Sequence, residues 1–164
     1  MNSFIKKAAA LALVLIMTVG SFSAFADAQK FTFTDNQHVY SIGMDSAAAF
    51  ATLGTANGSR DVNNCANGYV NKAYTYGKTD KDYEVYIEQN AAHTQEIVAG
   101  ITLLTPNVAT EEGLKVGDSA EKVLSVYPTA KKGLGSYTVE KGGVELQIKM
   151  RANAVSYIAY RAVG

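Results

Sequence analysis

The chain has one cysteine, Cys65, and two histidines, His38 and His93. A thiolate beside an imidazole would make a nucleophile–base pair, the arrangement that activates cysteine for covalent catalysis. Neither histidine lies near Cys65 in sequence, and nothing local orients one toward it. The surrounding stretch, NNCANGYVNKAYTYG (63–77), reads as an Asn67-Gly68 turn leading into a strand. On that reading Cys65 is a packing residue. The other reading is an exposed thiol, open to coupling with another chain. Serine chemistry lacks its usual frame: there is no G-x-S-x-G elbow, and Gly117-Asp118-Ser119 has the form of a helix cap.

Carboxylates are the other candidates. Glu84, Glu88, Glu111, Glu112 and Glu145 could supply the acid and base of a glycosidase. Glu84 and Glu88 share one strand face with Tyr86, but alternation in any half-wet strand produces that pattern. Asp80 and Asp82 in TDKD (79–82) suit a tight turn better than a calcium loop. One cysteine and two distant histidines have no zinc-ligand spacing. No glycine-rich loop follows a strand and opens a helix, which removes the common nucleotide sites. No catalytic residue, metal ligand or cofactor is assigned, and the chain does not read as an enzyme. A small extracellular hydrolase is the least favoured alternative.

Binding has better material. Ten tyrosines offer large contact area, few rotatable bonds and a polar tip. By strand parity Tyr69 opposes Tyr74 and Tyr76, Tyr86 opposes Tyr83, and Tyr157 opposes Tyr160. Tyr69, Tyr86 and either Tyr157 or Tyr160 could therefore gather on one open sheet face as a partner-binding patch.

The elements that would position such a patch can be read from periodicity. KFTFT (30–34) and VYSIG (39–43) are extended. SAAAFATL (46–53) is a helix, capped by Asp45 and ended by Gly54. Residues 55–68 are loop-like. YVNKAYTYG (69–77), YEVYIEQ (83–89) and IVAGITLLT (97–105) form an antiparallel meander, with Tyr83, Val85 and Ile87 inward and Glu84, Tyr86 and Glu88 outward. GLKVGDSAEKVLSVYP (113–128) carries the second helix, capped by Asp118 or Ser119, docked by Val123, Leu124 and Tyr127, and stopped by Pro128. SYTVE (136–140), VELQIKM (144–150) and AVSYIAYRAV (154–163) complete a second run of strands.

The ends and charges place the chain. Lys6 and Lys7 precede an apolar run, AAALALVLIMTV (8–19), and then an Ala24-Phe25-Ala26 cleavage pattern. Residues 1–26 thus read as a signal peptide, and the mature chain is expected to be secreted or associated with the cell envelope, without stable membrane insertion. Fifteen basic residues balance fifteen acidic ones, and no basic stripe exists to follow a nucleic acid backbone. A lone cysteine cannot form a disulfide within the chain, so apolar packing must stabilise it. A monomer is expected.

The two helical regions align without a gap at an offset of 74 residues. Ile42-Gly43 falls on Val116-Gly117, Asp45 on Ser119, Phe50 on Leu124, and Thr55-Ala56 on Thr129-Ala130. The pattern hydrophobic-Gly-x-[Asp/Ser] before a short helix, in VYSIGMDSAAAFATLG and GLKVGDSAEKVLSVYP, resembles the repeat of the beta-lactamase inhibitory protein and of small outer-membrane assembly lipoproteins of the SmpA/OmlA type. The stretch TPNVATEEGLKVGDSAEKVLSVYP is also similar to secreted or lipid-anchored proteins of Gram-positive anaerobes. The resemblance implies an α+β fold of two tandem helix-then-antiparallel-meander repeats sharing one sheet and core. It divides the chain into a lead-in (27–38), a first repeat (39–105), a linker (106–112) and a second repeat (113–164). It also implies a lean toward protein binding, with a structural role in the cell envelope as the alternative. The inhibitory protein is stapled by disulfides that this chain cannot make, and the lipoproteins carry a lipid-modified cysteine that it lacks.

Overall fold

The computed structural model describes residues 30–63 and 70–163. They form a mixed α+β fold with two helices, a two-stranded hairpin and one large antiparallel sheet. The hairpin is β1 (Thr32–Asp35) with β2 (His38–Ser41). Helix α1 (Ser46–Leu53) precedes β3 (Gly58–Asn63), β4 (Val70–Tyr76), β5 (Tyr83–Gln89) and β6 (Glu96–Leu103). Helix α2 (Ala120–Val126) precedes β7 (Lys131–Gly133), β8 (Ser136–Lys141), β9 (Val144–Arg151) and β10 (Ala154–Ala162). The eight strands lie in the order β3-β4-β5-β6-β10-β9-β8-β7. Two four-stranded meanders thus meet at their last strands, with Leu103 paired to Ile158 and Gly100 to Arg161.

Both helices begin at the same kind of turn. The Gly43 N–H donates to the Val98 carbonyl and the Val98 N–H to that of Met44, each at 2.8 Å. In the second half the Gly117 N–H donates to Val155 and the Val155 N–H to Asp118, again at 2.8 Å. Both glycines have positive φ, 85° and 93°, which an L side chain adopts only at a cost. Asp45 then caps α1 by accepting from the Ala48 N–H at 2.9 Å. Ser119 caps α2 by accepting from Lys122, while Asp118 is drawn into the preceding turn by the Lys115 N–H. The second helix is therefore shorter than the run that carries it. Leu124 does not dock: it is 44% exposed, because the inward side of this short helix is filled by Val123 and followed by the buried Tyr127.

The core lies between one face of the sheet and the helices and hairpin. Phe33 of β1 reaches across the centre, 4.8 Å from the Tyr83 ring and 6.4 Å from that of Tyr160. Phe31 meets Tyr127 edge-on at 6.0 Å, and Phe50 of α1 meets Tyr74 at 4.9 Å. Such edge-to-face pairs add to the area that each ring buries.

Two strands fall where the sequence suggested loop or nothing. β3 occupies part of the stretch read as loop, and β7 was not anticipated. Both are edge strands, which need backbone pairing on only one side and tolerate polar side chains. The Asn67-Gly68 turn and Cys65 lie outside the described residues.

The β4–β5 turn is held by Asp82, which is 1% exposed. Its carboxylate accepts from the backbone N–H groups of Lys78 and Thr79, the hydroxyls of Thr79 and Thr105, and the Asn107 amide. Burial alone would raise its pKa, but these donors outweigh burial and hold the carboxyl far below the usual range. Gly77 has φ 123°, and a Cβ there would sit 2.3 Å from that of Asp82. Gly77→Ala is therefore expected to cost about 2 kcal/mol or more of stability in urea denaturation. A loss within error would show that the turn relaxes freely. Because the folded pKa of Asp82 is depressed, its contribution is present above the unfolded value and is lost as pH falls below about 4. Asp82→Asn should be less stable at neutral pH and show a shallower acid decline, measured as unfolding midpoint against pH. Parallel curves for the two proteins would contradict this.

Candidate interaction face

Among the described residues no helix covers the second face of the sheet. Across it, antiparallel register sets Arg60 of β3 beside Ala73, then Tyr86 of β5, Gly100 of β6, and Arg161 of β10. A register shift between Tyr86 and Ile87 gives β6 an extra residue, Ala99, at this point. Small residues therefore floor the junction of the two meanders. The Tyr86 ring leans over Gly100, so that a Cβ on Gly100 would lie 3.5 Å from its Cδ2. A trough of about 420 Å³ results, lined by Tyr86, Glu88, Ala99, Gly100, Thr102 and Arg161 among others.

Tyr86 is held by a charged cluster. Its hydroxyl donates to Glu84 at 2.6 Å and accepts from the Arg60 guanidinium at 3.0 Å. Arg60 also pairs with Glu84 at 3.1 Å and lies 5.7 Å over the Tyr86 ring centre. Lys81 approaches the second Glu84 oxygen at 3.3 Å. Glu84 faces outward as its parity requires, yet it is only 4% exposed because these side chains cover it. Burial pushes its pKa up, but the bonds from Arg60 and Tyr86 prevail and keep it below the ordinary value. Burial and the bond to Glu84 push the Tyr86 phenol up, so both groups hold one protonation state at neutral pH.

This geometry bears on acid–base chemistry. A glycosidase pair needs one carboxyl whose pKa is raised so that it can donate a proton. Glu84 is held ionised between cations and lacks that property. Glu111 accepts from Thr32 and Thr34, and Glu112 from the Tyr127 hydroxyl, so each is tied to an element on the helical side. Glu145 lies on β9 across from Arg161. The oxygens of Asp82 are occupied by donors, as a turn carboxylate's would be. Among the described residues no three of His, Cys, Asp and Glu gather as a metal site. His38 is exposed on β2, and His93 lies in the β5–β6 connection.

The four tyrosines proposed for a binding patch part company. Tyr86 and Tyr157 are on the open face and half-buried; Tyr157 pairs with Lys149 there. Tyr160 is 2% exposed and belongs to the core, its ring tilted against that of Phe33 at 6.4 Å. The register shift between Val155 and Tyr157 fixes this parity, turning Ile158 and Tyr160 inward along with Val155. Tyr69 lies outside the described residues. Arg60, Gly100 and Arg161 were not singled out from the sequence. Arg60 sat in a stretch that looked like loop, and the break that Gly100 makes in IVAGITLL was the available signal.

Comparison with protein-family models, curated proteins and solved structures found no match. Among the described residues no helix is long and apolar enough to cross a membrane.

Removing Arg60 would leave a covered carboxylate with weaker compensation. Arg60→Met is expected to cost about 1–3 kcal/mol and to raise the pKa of Glu84, followed by NMR of its carboxyl carbon. An unchanged Glu84 titration would mean that Lys81 and Tyr86 suffice.

Proposed function

We propose that the protein is an exported, non-catalytic module of two tandem repeats that docks a partner protein of the cell surface or envelope on its open sheet face. The observation that carries this is the trough at the junction of the meanders, with a rigidly held tyrosine on one side and an arginine on the other. Tyrosine and arginine are the residue types that contribute most binding energy at protein interfaces, above all when fixed before the partner arrives. The bonds from Tyr86 to Glu84 and Arg60 do this fixing.

The repeat reading is supported by hydrogen bonds that recur between halves. Gly43 and Gly117, at the offset of 74, make the same bonds to Val98 and Val155. Asp45 and Ser119, at that same offset, each form a bridge to the last strand of their half, at Ile97 and Ala154. Shared architecture with the beta-lactamase inhibitory protein would not carry its activity, since function resides in the site and not in the fold. Export rests on the pattern of residues 1–26.

The test is capture from the producer's culture and envelope fractions on immobilised protein, beside a Tyr86→Ala control whose fold is checked by circular dichroism. A partner retained by the native face and lost from the control is expected. Failure to retain anything, or equal retention by both, would count against the open face as the docking site.

A further inference from the structure

From the charges around the trough we infer that the docked element presents a carboxylate beside an apolar group, the carboxylate meeting Arg161 and the apolar group lying against Tyr86. This rests on the docking reading above and adds the chemistry of the partner. Two guanidinium groups flank Tyr86 and Gly100 on this face, Arg60 and Arg161, and they are not equivalent. Arg60 is engaged by Glu84 and by the Tyr86 hydroxyl and ring. Arg161 is exposed and makes no ion pair among the described residues, although Glu145 stands across from it in register. Its planar fork is suited to two parallel bonds with a carboxylate.

The rest of the trough restricts the occupant. Gly100 seats the Tyr86 ring, and Ala99 beside it leaves the floor without a large side chain, so an inserted group can lie close to the backbone there. The Tyr86 ring offers an apolar flank. Glu88 also lines the trough and repels a second acid, so one carboxylate directed toward Arg161 fits better than an acidic cluster. The volume, about 420 Å³, accepts one or two inserted side chains. An extended loop with an acidic residue next to an apolar one meets all of these conditions.

The test uses residues 27–164, which contain the core of the described residues from Phe31 to Tyr160, and a small probe. N-acetylphenylalanine carries a carboxylate and an apolar ring; N-acetylphenylalaninamide has the same ring without the charge. In NMR titrations the acid should shift the Gly100 amide, the Arg161 Nε–H and the Tyr86 ring signals. The amide should bind weaker by about five-fold or more, since the charge-assisted pair is lost. Arg161→Gln should remove the difference between the probes without moving the unfolding midpoint. Equal shifts from both probes, no shifts at all, or an unchanged response in Arg161→Gln would overturn the inference. If a partner were still captured through Tyr86 in that case, the docking face would stand and only the carboxylate would fall.

Discussion

The fold depends on the pairing of β6 with β10. Only four register pairs, from Leu103–Ile158 to Gly100–Arg161, join the two meanders. Because side chains alternate across a strand, this one register sends Ile101, Leu103, Ile158 and Tyr160 into the core. It also sends Gly100, Thr102, Ala159 and Arg161 to the other face. A slip of one residue would exchange the two sets and bury an arginine. Phe33 guards the register from the core side, since its ring contacts Tyr83 of one meander and Tyr160 of the other.

Two covered carboxylates show how the same cost is met for different ends. Asp82 is surrounded by neutral donors from its own turn and from the segment after β6. That arrangement ties β4, β5 and the end of β6 into one rigid corner, helped by the Leu104 N–H donating to the Asp82 carbonyl at 2.9 Å. Glu84 is met by cations and a phenol on an uncovered face. Neutral donors suffice where the turn geometry is fixed and local. Mobile cations instead confer order on themselves, so Glu84 restrains Arg60 and Tyr86, which would otherwise sample many rotamers.

Legibility followed local signals. Helix α1 and strand β5 keep the limits read from sequence, because Asp45, Gly54 and a clean alternation of Tyr83, Val85 and Ile87 mark them within a few residues. The edge strands β3 and β7 were obscured because pairing on one side imposes no apolar pattern. Leu124 was assigned to the core by helical spacing, but a helix as short as α2 buries little more than one residue, Val123. The choice between Tyr157 and Tyr160 could not be made from parity alone, since the register shift at Ser156 decides it. Arg60 and Arg161 became visible as site residues only when five strands brought them to one face, a consequence of long-range pairing that no local window contains.

The junction that holds the fold together is also where its surface is least filled. Gly100 sits within the central strand β6, where a residue without a side chain weakens a strand by roughly 0.5–1 kcal/mol against alanine. Its backbone does not require glycine: its φ is not positive, and a Cβ would meet the Tyr160 carbonyl at 3.4 Å and Tyr86 at 3.5 Å, ordinary contacts. Backbone strain does not account for it; the Tyr86 side chain lying over it leaves room for no more than a methyl group. An alanine would narrow the floor of the trough, and anything larger would lift the Tyr86 ring away from it. Lifting that ring would in turn pull the hydroxyl from Glu84 and Arg60. A small residue at the centre of the sheet thus leaves Tyr86 flat, its hydrogen bonds intact and the trough open. The stability given up at Gly100 goes to seating the Tyr86 ring, the contact on which the proposed docking face rests.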